Sequence, residues 1–435
     1  MDYDLAVIGA GWAGFNAAIT AKELGLKVVL IEKAQLGGAC LNRGCIPTKA
    51  LIQSAKIYSL TKKSKAFGVK TSPPNIDFNE IQARKENLVR QLRQGMNFML
   101  KGIDFINGPA QILGPNTVEA DGKNFQSRCI LIACGSKPIE LANLKFDHQK
   151  IISSDDILNL KELPGSLLII GGGVIGCEFA SLFSTFGVKV DLVEKMPQLL
   201  PGEDKELAKK LETIFKKKGI RVNTNTDATN FNLNNYDLVL LCIGRVPDSS
   251  LLGLENIGVK LEKGKVVVDE YLKTDIPSIY AAGDCTGSVM LAHFAAYQGC
   301  LAVANIAHPG RLKKADNTTI PNCIFTYPEI ASVGLDEEEA RNQGIDFKIN
   351  KFDFLGSGMA RILDQTEGFI KIVSDKKTGR ILGASIIGPA ATELIATLTL
   401  AVSVGLKLCQ IQDTVFAHPT LSESIGEALK VNHGF

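Results

Sequence analysis

The sequence predicts an α/β chain, with two βαβ units of the doubly wound, Rossmann-like type followed by a C-terminal α+β segment. Three observations carry this. A strand, glycine turn, helix, strand and acid follow one another from Tyr3 to Lys33. The same pattern returns 162 residues later, position for position. From Ile320 onward the pattern changes to alternating strands and one apolar helix. The 435 residues are enough for two to four domains with sizeable cores.

The first unit starts with the strand Leu5-Ala6-Val7-Ile8, and Gly9-x-Gly11-x-x-Gly14 follows at once. Ala17 to Leu24 reads as helix and Gly25 ends it. Val28 to Ile31 is the next strand, closing on Glu32 and Lys33. Such glycines let the backbone approach a pyrophosphate resting on the helix N-terminus, and the acid takes a ribose hydroxyl. A lone glycine pattern is weak, but here strand, helix and acid all fit.

Two cysteines, Cys40 and Cys45, follow directly. A second pair, Cys129 and Cys134, has the same spacing, and geometry separates them. The run from Cys129 to Cys134 is apolar and β-branched. Five strand steps hold its ends roughly 16 Å apart, beyond the ~7 Å Cα limit for a disulfide. Cys40 and Cys45 sit among Gly37, Gly38, Gly44 and Pro47, which permit an irregular turn and then a helix start. A cysteine at a helix N-terminus has its thiolate stabilised. A disulfide-capable pair is expected here, rather than two structural cysteines.

The second unit repeats the first: Leu167 to Ile170, then Gly171, Gly173, Val174, Ile175 and Gly176, then Glu194 in the place of Glu32. Two complete units imply two dinucleotides. Both end in an acid, which favours NAD over NADP because a 2′-phosphate would be repelled. A disulfide directly after the first unit must exchange electrons with whatever that unit binds. Nicotinamide carries hydride, whereas a flavin passes between hydride and thiol chemistry. FAD is therefore expected in the first unit and NAD in the second.

Between the units, Ser54 to Leu100 reads as two helical stretches around the loop Thr71 to Pro74, and Val118 to Ala133 as short strands. After the second unit come a charged helix, Lys205 to Lys218, and a strand, Asp237 to Ile243, ending in Gly244-Arg245. Val266 to Asp269 and Ser278 to Asp284 look like a return to the first domain. Asp284 fits either a flavin's sugar-like chain or a cap for a helix starting near Val289. The expected domains are 1–140 completed by 265–315, then 141–264, then 316–435. In the last, Phe347 to Phe354, Gly368 to Ser374 and Ile381 to Ile387 suggest an antiparallel sheet, and Thr392 to Val404 a helix.

Composition excludes other classes. The formal net charge is +2 with no long basic run, so nucleic-acid binding has no electrostatic support. No apolar stretch reaches membrane-spanning length. The first strand starts by Asp4, leaving no room for a leader, and the expected location is cytoplasmic. Ten cysteines there suggest thiol chemistry rather than a secreted disulfide framework. No metal site is expected.

The run Gly37-Gly38-Ala39-Cys40-Leu41-Asn42-Arg43-Gly44-Cys45-Ile46-Pro47-Thr48-Lys49 resembles the redox-disulfide motif of the pyridine nucleotide–disulfide oxidoreductases, and within them the dihydrolipoamide dehydrogenases. Ala281 to Asp284 and Met290-Leu291-Ala292-His293 resemble the family's second flavin motif, which favours the flavin reading of Asp284. Ile320-Pro321 through Thr326-Tyr327-Pro328-Glu329 resembles the opening of its dimerisation domain. Ala417 to Glu423 resembles its histidine–glutamate motif. The resemblance covers essentially the whole chain.

It implies a homodimer that oxidises protein-bound dihydrolipoamide with NAD through a Cys40–Cys45 disulfide and FAD. Its partners would be lipoyl domains of 2-oxoacid dehydrogenase complexes or of the glycine cleavage system. The alternative is a related NAD(P)H-dependent reductase of another small disulfide. His418, oriented by Glu423, would be the base from the other subunit; without the resemblance, a histidine before proline reads as a turn residue. Lys49 and Glu178 would pair beside the flavin. Lys33, Gly38, Ala110, Ala133 and Gly135 would line the flavin site, and Gly244 and Arg245 also belong to the cofactor sites. Departures are Cys134 for a usual threonine, Ala39 for a common threonine and Gln298 for a common glutamate. Mercuric reductases need a C-terminal cysteine pair, and the tail Lys430 to Phe435 has none. Only Val222 to Tyr236 separates the charged helix from the next strand, where relatives carry a longer β-meander.

Overall fold

The computed structural model describes residues 1–430; the cysteine-free tail 431–435 lies outside the described residues. Three sheets organise the chain. In the first, the strands Asp104–Asn107, Val28–Glu32, Tyr3–Ile8 and Lys123–Ile132 lie side by side and parallel. Ile279–Ala281, which follows the second unit in sequence, pairs parallel with Lys123–Ile132 through Ile279 and Ile130. The chain therefore does return to its first sheet. Of the segment Val266 to Asp269, only Lys265–Val266 is strand, in a short hairpin with Leu261–Glu262.

The helix Trp12–Glu23 starts within the glycine turn, earlier than Ala17. Its face of Ala13, Ala17, Ala18 and Ala21 is fully packed. Small side chains there let the helix Ala292–Ala307 approach closely. A Cβ at Gly299 would lie 2.2 Å from the Ala13 carbonyl oxygen, so only glycine fits the crossing. Cys129 lies in the strand Lys123–Ile132 and Cys134 just beyond it, as the strand geometry predicts.

The second sheet is parallel throughout, in the order Arg221–Asn223, Lys189–Val193, Ser166–Ile170, Leu238–Leu241, Ile151–Ile152. Its central strands Ser166–Ile170 and Leu238–Leu241 are near-continuous apolar runs because both faces are covered. Two short 3₁₀ turns, Ala228–Asn230 and Leu233–Asn235, occupy the shortened stretch between Val222 and Tyr236. Their Phe231 and Leu233, with Tyr236, pack on Leu168, Ile170, Val193, Val239 and Leu241. That sheet face is thus covered without the extra strands.

The third sheet is antiparallel, ordered Asn322–Ile324, Glu329–Gly334, Ile381–Gly388, Phe369–Asp375, Phe347–Asp353. The helices Ala391–Ser403 and Glu423–Lys430 pack on one face. Ile324, Ile330, Phe369 and Ile387 of the other face join the core of the second sheet. Lys371, 3 % exposed, ties the two together through Asp204 (2.8 Å) and is also held by Glu337 of its own domain (3.1 Å). Among the described residues, no helix is long and apolar enough to cross a membrane, and no cluster of metal-ligating side chains occurs.

Candidate active site

The C-terminal edges of the two parallel sheets open into one cleft of about 1740 Å³. Along the first edge it is lined by Gly9, Gly11, Glu32, Lys33, Gly38, Cys40, Cys45, Lys49, Ala110, Ala133, Gly135 and Asp284. Along the second it is lined by Gly171, Gly173, Val174, Ile175, Glu178, Glu194, Gly244 and Arg245. Met290, Leu291, Ala292 and His293 close it at the start of the helix Ala292–Ala307. Four expected residues are not on its wall: Gly14, Gly176, His418 and Glu423. The two glycines sit behind their turns. A Cβ would lie 1.8 Å from the Gly9 carbonyl oxygen or 1.9 Å from that of Gly171, so they serve helix–strand packing rather than ligand contact.

The two units match in their hydrogen bonds as well as their sequence. Ala10 N–H donates to Glu32 Oε2 (2.7 Å), and Ala34 N–H to Oε1 (2.8 Å). Gly172 N–H donates to Glu194 Oε2 (2.6 Å), and Met196 N–H to Oε1 (2.7 Å). Each carboxylate is buried and aimed, with lone pairs left for ribose hydroxyls. Gly9 and Gly171 take φ of +104° and +114°, and a side chain there would strike the neighbouring strand's end. The helices Trp12–Glu23 and Val174–Thr185 begin at glycines with no side-chain cap, leaving their N–H groups to the cleft. Both cradles therefore fit a dinucleotide diphosphate.

Asp284 does not cap the following helix, whose N-cap is Leu291. It opens the 3₁₀ turn Asp284–Thr286, and its Oδ2 accepts from Ser136 Oγ (2.5 Å). Arg245 Nε donates to the same Ser136 oxygen (2.8 Å), linking the second sheet's edge to the first cradle. Lys33 pairs with Asp248 (2.7 Å). Gln298, in place of the family's glutamate, accepts the Gly283 N–H (2.8 Å), a task for which an amide oxygen suffices. Sequence reasoning missed Ser136, Asp248 and Trp12, whose roles depend on contacts distant in the chain.

Cys40 lies in the short helix Gly38–Arg43, and Cys45 opens the helix Cys45–Lys63 after Gly44. Gly44 breaks the helix and turns the second cysteine back toward the first. Both thiols are free; Cys40 is half-buried and Cys45 faces the open cleft. Cys40 S–H donates to Cys45, and that bond first, then Lys49, pulls Cys45 down to about 7 against burial. Donating to Cys45, burial and the charge at Cys45 push Cys40 up; the Trp12 N–H and Lys49 act the other way. Lys49 Nζ grips both oxygens of buried Glu178 (2.8 and 2.9 Å) and lies 4.8 Å over the Phe325 ring. Phe325 N–H donates to Glu178 Oε1 (2.9 Å), anchoring the pair to the third sheet.

His418 Nδ1 meets Glu423 Oε2 at 2.8 Å, and this bond holds the Glu423 carboxyl below its ordinary range. Thr420 N–H donates to the other carboxylate oxygen (3.3 Å). The His418 side chain is 79 % exposed and away from its own chain's cleft. The fold brings His418 to Glu423, and brings neither to Cys40 of the same chain.

Comparison with known proteins matches residues 3–299 to the family described as pyridine nucleotide-disulphide oxidoreductase. Residues 320–429 match that family's dimerisation domain. A dihydrolipoyl dehydrogenase of Chlamydia pneumoniae is 41 % identical, covering 99 % of this chain and 98 % of the relative. One from Geobacillus stearothermophilus is 40 % identical, over 100 % and 97 %. Among solved structures, the HOCl-induced flavoprotein disulfide reductase RclA from Escherichia coli superposes with a TM-score of 0.89 at 30 % identity, covering 99 % and 100 %. LpdA from Mycobacterium tuberculosis gives 0.90 at 28 % identity, over 98 % and 99 %.

Proposed function

The chain belongs to the pyridine nucleotide-disulphide oxidoreductases, an oxidoreductase family with its own dimerisation domain, and from that premise we propose that it is an NAD-dependent dihydrolipoyl dehydrogenase. One observation carries the reading: the Cys40–Cys45 thiol pair lies in a cleft shared by two matching dinucleotide cradles, with the Lys49–Glu178 pair at their junction. When bound, FAD in the first cradle and NAD in the second supply the two-electron acceptors that join thiol chemistry to hydride chemistry. The proposed partners are lipoyl domains of 2-oxoacid dehydrogenase complexes or of the glycine cleavage system, and the proposed location is the cytoplasm.

The chain's own residues have the following tasks. A substrate thiolate attacks Cys40 of the oxidised pair; the Cys40–Cys45 bond breaks and Cys45 leaves as thiolate, which the Lys49 charge favours. The second substrate thiolate attacks the substrate sulfur held on Cys40. The substrate S–S bond forms and Cys40 leaves with the electron pair. Two electrons and two protons have then left the substrate. The first thiol's proton goes to solvent, His418 takes the second thiol's proton as base, and Glu423 orients the ring. Because His418 is exposed and off its own cleft, it serves the partner's Cys40, and the dimer is the working unit. Leu400, Val404 and Val415, all exposed in the same domain, supply apolar surface for that contact. Lys49 offsets negative charge at Cys45, and Glu178 holds the lysine in place.

The second reading is an NAD(P)H-dependent reductase of another small disulfide, favoured by the near-complete overlap with RclA. Steady-state NAD reduction with dihydrolipoamide, compared with glutathione and other dithiols, separates the two. A marked preference for dihydrolipoamide is expected. Slow turnover with it, beside fast NAD(P)H oxidation by another disulfide, would overturn the first reading.

A further inference from the structure

Trp12 is the only tryptophan of the chain, and the steps above make no use of it. It is the first residue of the helix Trp12–Glu23, inside the glycine turn of the first cradle. Its indole Nε1 is closed off from solvent and has no hydrogen-bond partner among the described residues. A buried N–H is costly unless something accepts from it. Backbone packing decides its neighbour. Gly38 rests on Gly11 so closely that a Cβ at Gly38 would lie 2.6 Å from the Gly11 Cα. This contact seats the helix Gly38–Arg43 on the start of the helix Trp12–Glu23. Trp12 and Cys40 thereby share one wall of the cleft, and the indole N–H is among the groups that draw the Cys40 thiol down against burial.

We propose that the Trp12 indole N–H donates to the Cys40 sulfur and stabilises the Cys40 thiolate as it leaves the mixed disulfide. A thiol is a poor acceptor and a thiolate a strong one, so the contact strengthens as charge develops on sulfur. In that step the second substrate thiolate attacks the substrate sulfur bound to Cys40. The substrate S–S bond forms, the bond to Cys40 breaks, the electron pair stays on Cys40, and the imidazolium formed earlier returns a proton to it. A thiol leaves faster when its thiolate is more stable. Opposing influences from Cys45 and burial make a donor at Cys40 matter more. Trp12 touches a reacting atom and is a catalytic residue in this sense.

The proposal rests on Cys40 as the sulfur that meets the substrate. Its test uses no substrate, so its failure leaves the dithiol reading standing. In flavin-loaded Cys45→Ser holoenzyme, with and without Trp12→Phe, carbamidomethylation of Cys40 by iodoacetamide is followed against pH by the mass of the Cys40 peptide. Trp12→Phe keeps an aromatic ring and removes the N–H. The midpoint should rise by about one pH unit, leaving about tenfold less thiolate at neutral pH. Coincident profiles would overturn the proposal. If Trp12→Phe loses its flavin, the lone tryptophan supplies the second measurement. In Cys45→Ser holoenzyme its emission should change with the Cys40 midpoint, and in the Cys40→Ser/Cys45→Ser form it should stay flat over the same range. Emission that ignores the Cys40 midpoint would overturn the contact.

Discussion

Lys49→Met should move the Cys45 thiol from about 7 to about 8, and the cleft's geometry sets that size. Two groups pull Cys45 down, the Cys40 hydrogen bond and then Lys49; burial and Glu178 push it up. Lys49 grips Glu178 with both contacts under 3 Å, so at Cys45 the two charges largely offset one another. Methionine keeps the stem and removes the ammonium. The same change leaves the buried Glu178 carboxylate without its cation, and both effects raise Cys45. The larger pull, from Cys40, stays, so the rise is about one pH unit rather than the full return to an ordinary thiol. At pH 7 the thiolate would fall from about half to about a tenth, and alkylation would slow about fivefold. The assay is the pH profile of Cys45 alkylation in flavin-loaded Cys40→Ser, where serine retains a hydroxyl donor. Glu178→Gln should move the midpoint the other way, and the double variant should fall between the two. An unchanged midpoint in Lys49→Met, or a double variant outside both singles, would refute this account.

His418→Ala should slow dithiol oxidation by roughly 100-fold or more while leaving flavin reduction by NADH much less affected, the usual scale for loss of a general base. Mixing Cys40→Ser chains with His418→Ala chains should recover activity, because exchanged dimers hold one complete site; no recovery, with exchange confirmed by mass, would place His418 elsewhere. Glu194→Arg should narrow or invert the NAD over NADP preference, with a loss for NAD of about 10- to 100-fold, the range of a charged hydrogen bond; equal use of both by the unaltered enzyme would sink the assignment. Lys371→Met should cost about 3 kcal/mol in denaturant unfolding, the low end for breaking a buried pair, because Asp204 keeps the N–H groups of Glu206 and Leu207. Adding Asp204→Asn should recover part of that loss, and a Lys371→Met protein as stable as its parent would show that the pair contributes nothing.

The two βαβ units, their closing acids and the irregular turn around Cys40 and Cys45 were legible in the sequence for one physical reason. Each depends on backbone sterics and periodicity within about thirty residues. A glycine that must take positive φ beside a strand end, as Gly9 and Gly171 do, leaves its mark at a fixed spacing. The strand Lys123–Ile132 likewise separated Cys129 from Cys134 before any fold was known. Asp284 was ambiguous because spacing alone cannot tell a cap from a ligand residue. The actual start of the next helix at Ala292, and the bond from Ser136, removed the cap reading. Gly14 and Gly176 show the reverse: the spacing named them for the ligand, and the fold places them behind it.

What the sequence by itself determined is the pair of cradles, the thiol pair and the chemistry they allow. Only the tertiary structure decided which distant groups act on them. Trp12 and Cys40 share one wall of the cleft because two glycines let two helix starts touch. Lys49 reaches Glu178 because the first and second units share one cleft. Arg245 is joined to Asp284 through Ser136, while His418 is turned away from its own Cys40. Two 3₁₀ turns cover the second sheet in the shortened stretch, since Phe231, Leu233 and Tyr236 supply enough apolar surface without a ladder. Such contacts are settled by packing between elements far apart in the chain, and no local spacing records them.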